Sequence, residues 1–532
     1  MKKNFLTHGT IVLIAILMLS TTSCMKDLDL SPKYGLNTES VYNDPANYKR
    51  VLAKIYGGFS LTGNQGPAGN PDISGIDEGF SNYIRVLWNL QEVTTDEAVC
   101  GWLNDAGIRE LNTMNWSSQH PWVRGMYYRI YFEITLCNEF IRQCDDAKLA
   151  DRGFSETDKT AIKGFKNEAR YLRALSYYHL MDLFGTGPFI TEADGIGAFF
   201  PQQKDRPFLF SYVESELLAV EPLLPAPKQN EYARVDQAAV WSLLSRMYLN
   251  AQTYINTSKF NECVNYSNKV INAGYALDAD YKHLFLADNH LSNEVIFPIV
   301  SDGLFTQSYG VTTFLIHAAI GGSMPASQFG VNGGWSGLRS TRKLYDAFGA
   351  DTLTDGRYLF YTAGQFLDFS ANNQLGTFTR GYAVTKWKNI TRSGAAGSDN
   401  TGNFVDTDFP MFRLAEMYLN YAEATLRGGN GDQATAIQYI NRLRDRAFGA
   451  GIGNVASIDL PFILNERARE LYWEGHRRTD LIRYGLFTGG AYVWPFKGGD
   501  YAGGAVSNHL NVYPIPVSDL TANPNLTQNP GY

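Results

Sequence analysis

Helices that are apolar on almost every face, and that arrive in pairs with short connections, constrain this chain more than any other feature. Residues 122–144 and the second half of 158–184 carry apolar side chains nearly all round. A helix of that kind must be covered on most sides by other helices. Further helical periodicity is read over 213–220, 235–251, 259–272, 413–427, 433–447 and 461–484. Ser155 and Thr157 are cap candidates for the 158–184 helix, and Gly185 is its stop. The segments 235–251 and 259–272 form one pair, and 413–427 and 433–447 another. The spacing predicts a mainly α protein built of tetratricopeptide-like helix pairs, each packing on its neighbours to bury a continuous core.

Two stretches break the pattern. Residues 57–116 are rich in Gly, Asn, Asp and Trp, and residues 299–402 in Gly, Ser and Asn. Irregular stretches of this length in a compact protein usually carry function. The expected organisation is a helical scaffold over about 120–290 and 410–485, with a loop-rich ligand lobe over about 57–116 and 299–402.

The first 23 residues read as an export signal. Lys2 and Lys3 precede an apolar run over 11–19 that is too short to span a bilayer. Small residues then lead to Cys24, the expected lipidation site once residues 1–23 are removed. Thr21 stands where the common lipoprotein signal prefers Leu. The full chain carries a formal charge of −7, and removing Lys2 and Lys3 takes it to −9. That surface suits neither nucleic acid nor electrostatic docking on anionic lipid. Aromatic residues make up 14% of the chain. Most must pack the core; some are free to line a recognition surface.

The remaining cysteines are Cys100, Cys137, Cys144 and Cys263. Cys137 and Cys144 fall seven residues apart on one helix, about 10 Å along its axis, beyond the roughly 7 Å a disulfide spans. The cysteines show no zinc spacing. They are read as buried thiols, with a Cys100–Cys263 bridge left open.

Four segments in order resemble the SusD/RagB family of outer-membrane lipoproteins. They are Asn167-Glu-Ala-Arg-Tyr-Leu-Arg-Ala174 with Leu183-Phe-Gly-Thr-Gly-Pro188, then 413–424, then Asn465-Glu-Arg-Ala-Arg-Glu-Leu-Tyr-Trp-Glu-Gly-His-Arg-Arg-Thr-Asp480 onward to Gly485. The Tyr513-Pro-Ile-Pro516 and 523–532 ending is the fourth. The resemblance runs from Cys24 to Tyr532. It implies a lipid-anchored protein on the outer membrane, facing the exterior, that binds oligosaccharides, or peptides in some members. It also implies a TonB-dependent outer-membrane receptor as partner, and no enzymatic activity.

Candidate sites follow from residue chemistry. Sugars present apolar C–H faces and many hydroxyls, so a site needs rings flanked by donors and acceptors. Trp102, Asn104 and Asp105 offer that mixture, in a stretch resembling one that many family members place at the ligand face. The stretches Phe305-Thr-Gln-Ser-Tyr309 and 328–339 form a second candidate set, with Tyr309, Trp335 and Arg339 as its ligand residues and Gly333 and Gly334 freeing the loop to present Trp335. Packing alone also accounts for either tryptophan. The charged segment 465–485 admits an acid–base reading with Glu474 and His476. A surface glycoside hydrolase, the alternative of another class, needs two carboxylates about 5–10 Å apart across a cleft, and the sequence offers no convincing pair. The reading adopted is an ion-pair network locking this helix to the scaffold, since no nucleophile or metal set accompanies it. The oxygen-rich loop 398–408 is a candidate structural calcium site, read first as a solvated turn. No other cofactor is expected.

Overall fold

The computed structural model describes residues 37–195, 197, 199–349 and 354–532. The export signal and Cys24 lie outside the described residues. Helices dominate, and they stack in sequence. Pro121–Gln143 packs on Glu156–Phe184, which packs on Arg206–Val220. Gln237–Leu249 packs on Phe260–Ile271. That helix then lies against Leu414–Leu426, which pairs with Gln433–Phe448. The stack thus continues across a gap of more than a hundred residues, from which the loop-rich lobe emerges.

Local chemistry explains the helix ends. The Ser155 hydroxyl accepts from the Asp158 N–H, and Gly185 closes the same helix at φ 72°. Asp236, Asp432 and Asp459 cap three other starts through their carboxylates. Arg206–Val220 begins seven residues before the periodicity suggests, because Asp205 caps it and Pro207 suits its first turn.

Two expectations need correction. The regions read as irregular contain short helices: Tyr83–Trp88, continued by a π-turn over Asn89–Val93, and Val311–Ala319. Both are buried throughout, so they have no polar face to set a helical period. The segment 461–484 is not one helix. Leu460–Leu471 and Arg477–Arg483 are separated by a break, where Trp473 takes φ 62° and Gly475 φ 80°. The break is stitched down: the Gly475 and His476 N–H groups donate to Glu92 Oε1 at 2.7 and 3.1 Å, and Trp88 Nε1 donates to the Trp473 carbonyl at 3.0 Å. The cysteines are as read: Cys100, Cys137, Cys144 and Cys263 are all buried free thiols, with no Cys100–Cys263 bridge.

Ion pairs lock Leu460–Leu471 and the break that follows it. Arg357, Lys386, Arg413, Arg444, Arg446 and Arg469 face Glu294, Asp355, Glu466, Glu470 and Glu474 in one buried network. Arg413 alone reaches Glu470 Oε1 at 2.6 Å, Glu474 Oε2 at 2.6 Å and Glu294 Oε1 at 2.9 Å. Six cations against five carboxylates leave little uncompensated charge, which is what allows so many to be buried.

Two antiparallel strand pairs position the lobe. Val295–Ile299 pairs with Phe409–Arg413, pinning the lobe's two ends together. Val99–Cys100 pairs with Leu338–Arg339. This second pairing brings together two loops that lie more than two hundred residues apart in the chain.

Candidate carbohydrate-binding face

The strand pair sets Trp102 beside Trp335. Beyond the register Val99↔Arg339 and Cys100↔Leu338, the Gly101 N–H donates to the Gly337 carbonyl at 2.8 Å. The Trp335, Ser336 and Gly337 N–H groups donate to the carbonyls of His317, Ile320 and Ala318 at 2.7–2.8 Å. The Trp335 loop is therefore tied to the buried Val311–Ala319 helix. Trp102 Nε1 donates to the Trp335 carbonyl at 2.8 Å, and the two rings lie 6.3 Å apart. Tyr309 stands edge-on to Trp335 at 6.2 Å and is 38% exposed. Both tryptophans are partly exposed, so neither is sealed in the core. Asn104 and Asp105 are exposed on the turn that follows Trp102.

Rings beneath hold this arc still. His317 stacks under Trp335 at 4.8 Å and 15°, its two ring nitrogens 2.7 and 3.0 Å from the carbonyls of Gly333 and Asn403. Phe314 meets Trp102 edge-on at 6.1 Å, and Phe404 flanks Tyr309 at 5.8 Å. The Arg85 guanidinium sits 4.5 Å from the Phe314 ring centre and 5.7 Å from that of Trp102. One of its nitrogens donates to the carbonyls of Gly79 and Tyr309, each at 2.8 Å. Burial lowers its pKa to about 10. Sequence reasoning missed Arg85, His317 and Phe404. A lone arginine inside the apolar run Tyr83-Ile-Arg-Val-Leu-Trp88 was the available signal for the first.

Arg339 departs from expectation. It is 0% exposed, and its guanidinium donates to the carbonyls of Arg380, Gly337 and Leu375. With every nitrogen committed to backbone, it holds the Trp335 loop in place and offers nothing to a ligand. Lying in the pairing strand, it points inward by register, which the sequence does not display.

Gly337 keeps Trp102 in position. A Cβ there would stand 2.3 Å from Trp102 Cε2 and Cζ2. Gly337→Ala is therefore expected to displace the Trp102 ring and weaken ligand binding by about tenfold, on the scale of losing one stacking contact. Calorimetric titration of the variant would check this; unchanged affinity would mean that Trp102 takes no part.

The acid–base pair suggested by sequence is engaged elsewhere. Glu474 accepts from Arg413 and from Lys386 at 2.6–2.8 Å. Burial drives the His476 imidazole well below its usual pKa. Both line an interior cavity of about 30 Å³. That space holds a water, not a sugar. In the 398–408 loop, Asp399 accepts from the N–H groups of Thr401, Asn403 and Phe404, and Asp406 from those of Gly303 and Ser398. The loop is closed by its own backbone. Among the described residues, no helix is long and apolar enough to cross a membrane.

Comparisons with known proteins agree with this architecture. The sequence profile of the SusD family matches residues 369–532. The starch-binding protein SusD of Bacteroides thetaiotaomicron is 34% identical, covering 98% of each chain. Among solved structures, surface glycan-binding protein A of Bacteroides fluxus superposes with a TM-score of 0.70 at 20% identity, over 92% of this chain and 99% of that one. A laminarin-binding SusD-like protein superposes at 0.68 and 21% identity, over 94% and 100%. These relatives are named for binding, not for catalysis. With near-complete coverage at 34% identity and the same helical fold, this chain belongs to the SusD family.

Proposed function

We propose that this protein binds a glucan of the starch class on the face formed by Trp102, Tyr309 and Trp335. Asn104 and Asp105 supply hydrogen bonds to hydroxyls at its edge. The observation that carries the reading is the strand-fixed convergence of three partly exposed rings, backed by His317, Phe314 and Arg85. Partly exposed rings in fixed relative positions suit a polymer, which can lie across them through many weak contacts. The starch class is taken from the relative at 34% identity. The protein acts by retention, without cleaving its cargo. It is anchored through Cys24 to the outer membrane, faces the exterior, and delivers the glucan to a TonB-dependent receptor.

Calorimetric titration of the mature protein with amylopectin and maltoheptaose tests the binding. Incubation of the same mixtures, followed by chromatography of the sugars, tests the absence of cleavage. Binding with the sugars intact is expected. Shortened products would make the protein a hydrolase, and failure to bind either glucan would remove the starch assignment.

A further inference from the structure

The loop that ends at Tyr309 builds a second recess at its other end. Phe305, four residues earlier, is 82% exposed, the most exposed large apolar side chain among the described residues. Its backbone is firmly set. The Leu304 and Phe305 N–H groups donate to Asp302 Oδ1 at 2.8 and 2.9 Å, and the Gly303 N–H donates to Asp406 Oδ1 at 2.7 Å. A rigid turn thus holds an aromatic ring out in water, where burial would ordinarily be favourable.

Beside that ring lies a recess of about 240 Å³, between the helix Pro45–Gly58 and the 302–307 turn. Its lining includes Lys54, Leu61, Asn64, Leu304, Phe305 and Gln307. A neighbouring recess of about 310 Å³ shares Ala53 and Gly57 of the same helix and reaches Thr306. The lining mixes apolar surface with two amides, the combination a sugar ring requires. The Lys54 ammonium is buried behind this lining, 3.7 Å from an Asp72 carboxylate oxygen.

The recess and the aromatic face are linked through the chain. The four-residue step from Phe305 to Tyr309 spans at most about 14 Å of chain. The Arg85 guanidinium, close to the Trp102 ring, bonds both the Tyr309 carbonyl and that of Gly79 in the loop bordering the recess. Asn82 links the two sides again, donating to the Ser60 carbonyl at 2.7 Å and accepting from the Val311 N–H at 3.2 Å.

We propose that the recess beside Phe305 is a further carbohydrate subsite, taking the continuation of a glucan chain bound at Trp102, Trp335 and Tyr309. Phe305 provides a stacking face, and Asn64 and Gln307 bind hydroxyls. The proposal rests on the glucan-binding reading above.

Chain-length dependence tests it, with maltotriose and maltoheptaose as calorimetric probes on the mature protein. Phe305→Ala is expected to weaken maltoheptaose about three- to tenfold, the worth of one ring contact. Maltotriose should change by less than about twofold on the same scale. Asn64→Ala, also at an exposed position, should show the same length dependence. Trp335→Ala should weaken both probes. If Phe305→Ala and Asn64→Ala leave maltoheptaose unchanged while Trp335→Ala weakens both, the subsite is wrong and the aromatic face stands. Equal losses on both probes in Phe305→Ala would make the recess a principal site and overturn the extension. No effect of Trp335→Ala, or no binding by the unaltered protein, would remove the aromatic-face reading and the extension with it.

Discussion

Replacing Glu470 with alanine is expected to destabilise the protein by about 3–5 kcal/mol, the usual effect of removing one partner from a buried ion pair. Glu470 accepts from Arg413, Arg357 and Arg446, all buried with it. Its loss would leave six cations facing four carboxylates in the protein interior. A denaturant midpoint measures the change. Lys49→Ala supplies the contrast: it breaks the exposed pair with Glu231 and should cost less than about 1 kcal/mol. Similar midpoints for the two variants would refute the importance of the network.

The same network sets an acid limit. Burial alone would raise the Glu466 carboxyl, but Arg357, Arg469 and Arg444 outweigh it and hold the pKa at about 2. Glu470 and Asp480 are depressed further, by Arg446, Arg413 and Arg357 and by Arg467 and Arg483 respectively, again against burial. Carboxylates depressed on folding contribute stability above their unfolded pKa, about 4, and lose it as pH falls through the folded value. Several other buried carboxylates have the opposite sign, Asp408 and Glu97 among them. Burial pushes Asp408 and Glu97 up to about 7. Their contribution is complete below about pH 4 and is lost as pH rises through 7. Burial also holds the His120, His179, His317 and His476 imidazoles below their usual pKa, so they too give up stability as pH falls below about 6.5. Melting temperature should therefore drop steeply as pH falls below about 4. A melting temperature that stays level between pH 5 and about 2 would contradict this.

The second large effect concerns binding. Trp335→Ala should weaken glucan binding by about 1–3 kcal/mol, on the scale of aromatic stacking against nucleic-acid bases. That is roughly 5- to 150-fold in Kd. Trp102→Ala should fall in the same range and also frees the Trp335 carbonyl from its indole donor. Calorimetry with maltoheptaose reads both, and Trp335→Phe should retain part of the affinity. If neither alanine variant loses affinity, the glucan is held elsewhere.

Much of this protein was legible before any coordinates. Apolar periodicity, Ser155 and Gly185 announced the long helix of the scaffold, and the ordered motifs named the family. The charge-dense segment around Glu470 and Glu474 announced a network, because so many charges on an otherwise apolar helix need partners. Local signals suffice where the physics is local: a cap, a helical period and a stop act within a few residues. The network's distant members, Arg357 and Lys386, were not legible, since nothing in their neighbourhoods reveals which carboxylates they meet. The break at Trp473 was hidden because its stabilising acceptor, Glu92, lies nearly four hundred residues away.

Trp102 and Trp335 were each visible as candidates, but their meeting depends on a two-residue strand pairing between distant loops. Arg339 shows the limit most clearly. One residue of strand register turns its guanidinium to the interior, so a side chain that reads as a hydroxyl donor spends every nitrogen on backbone carbonyls. The amino-acid sequence by itself determined the helical scaffold and the types of side chain available for recognition. Tertiary structure alone decided which of them share a face, because long-range register and burial belong to the folded chain as a whole.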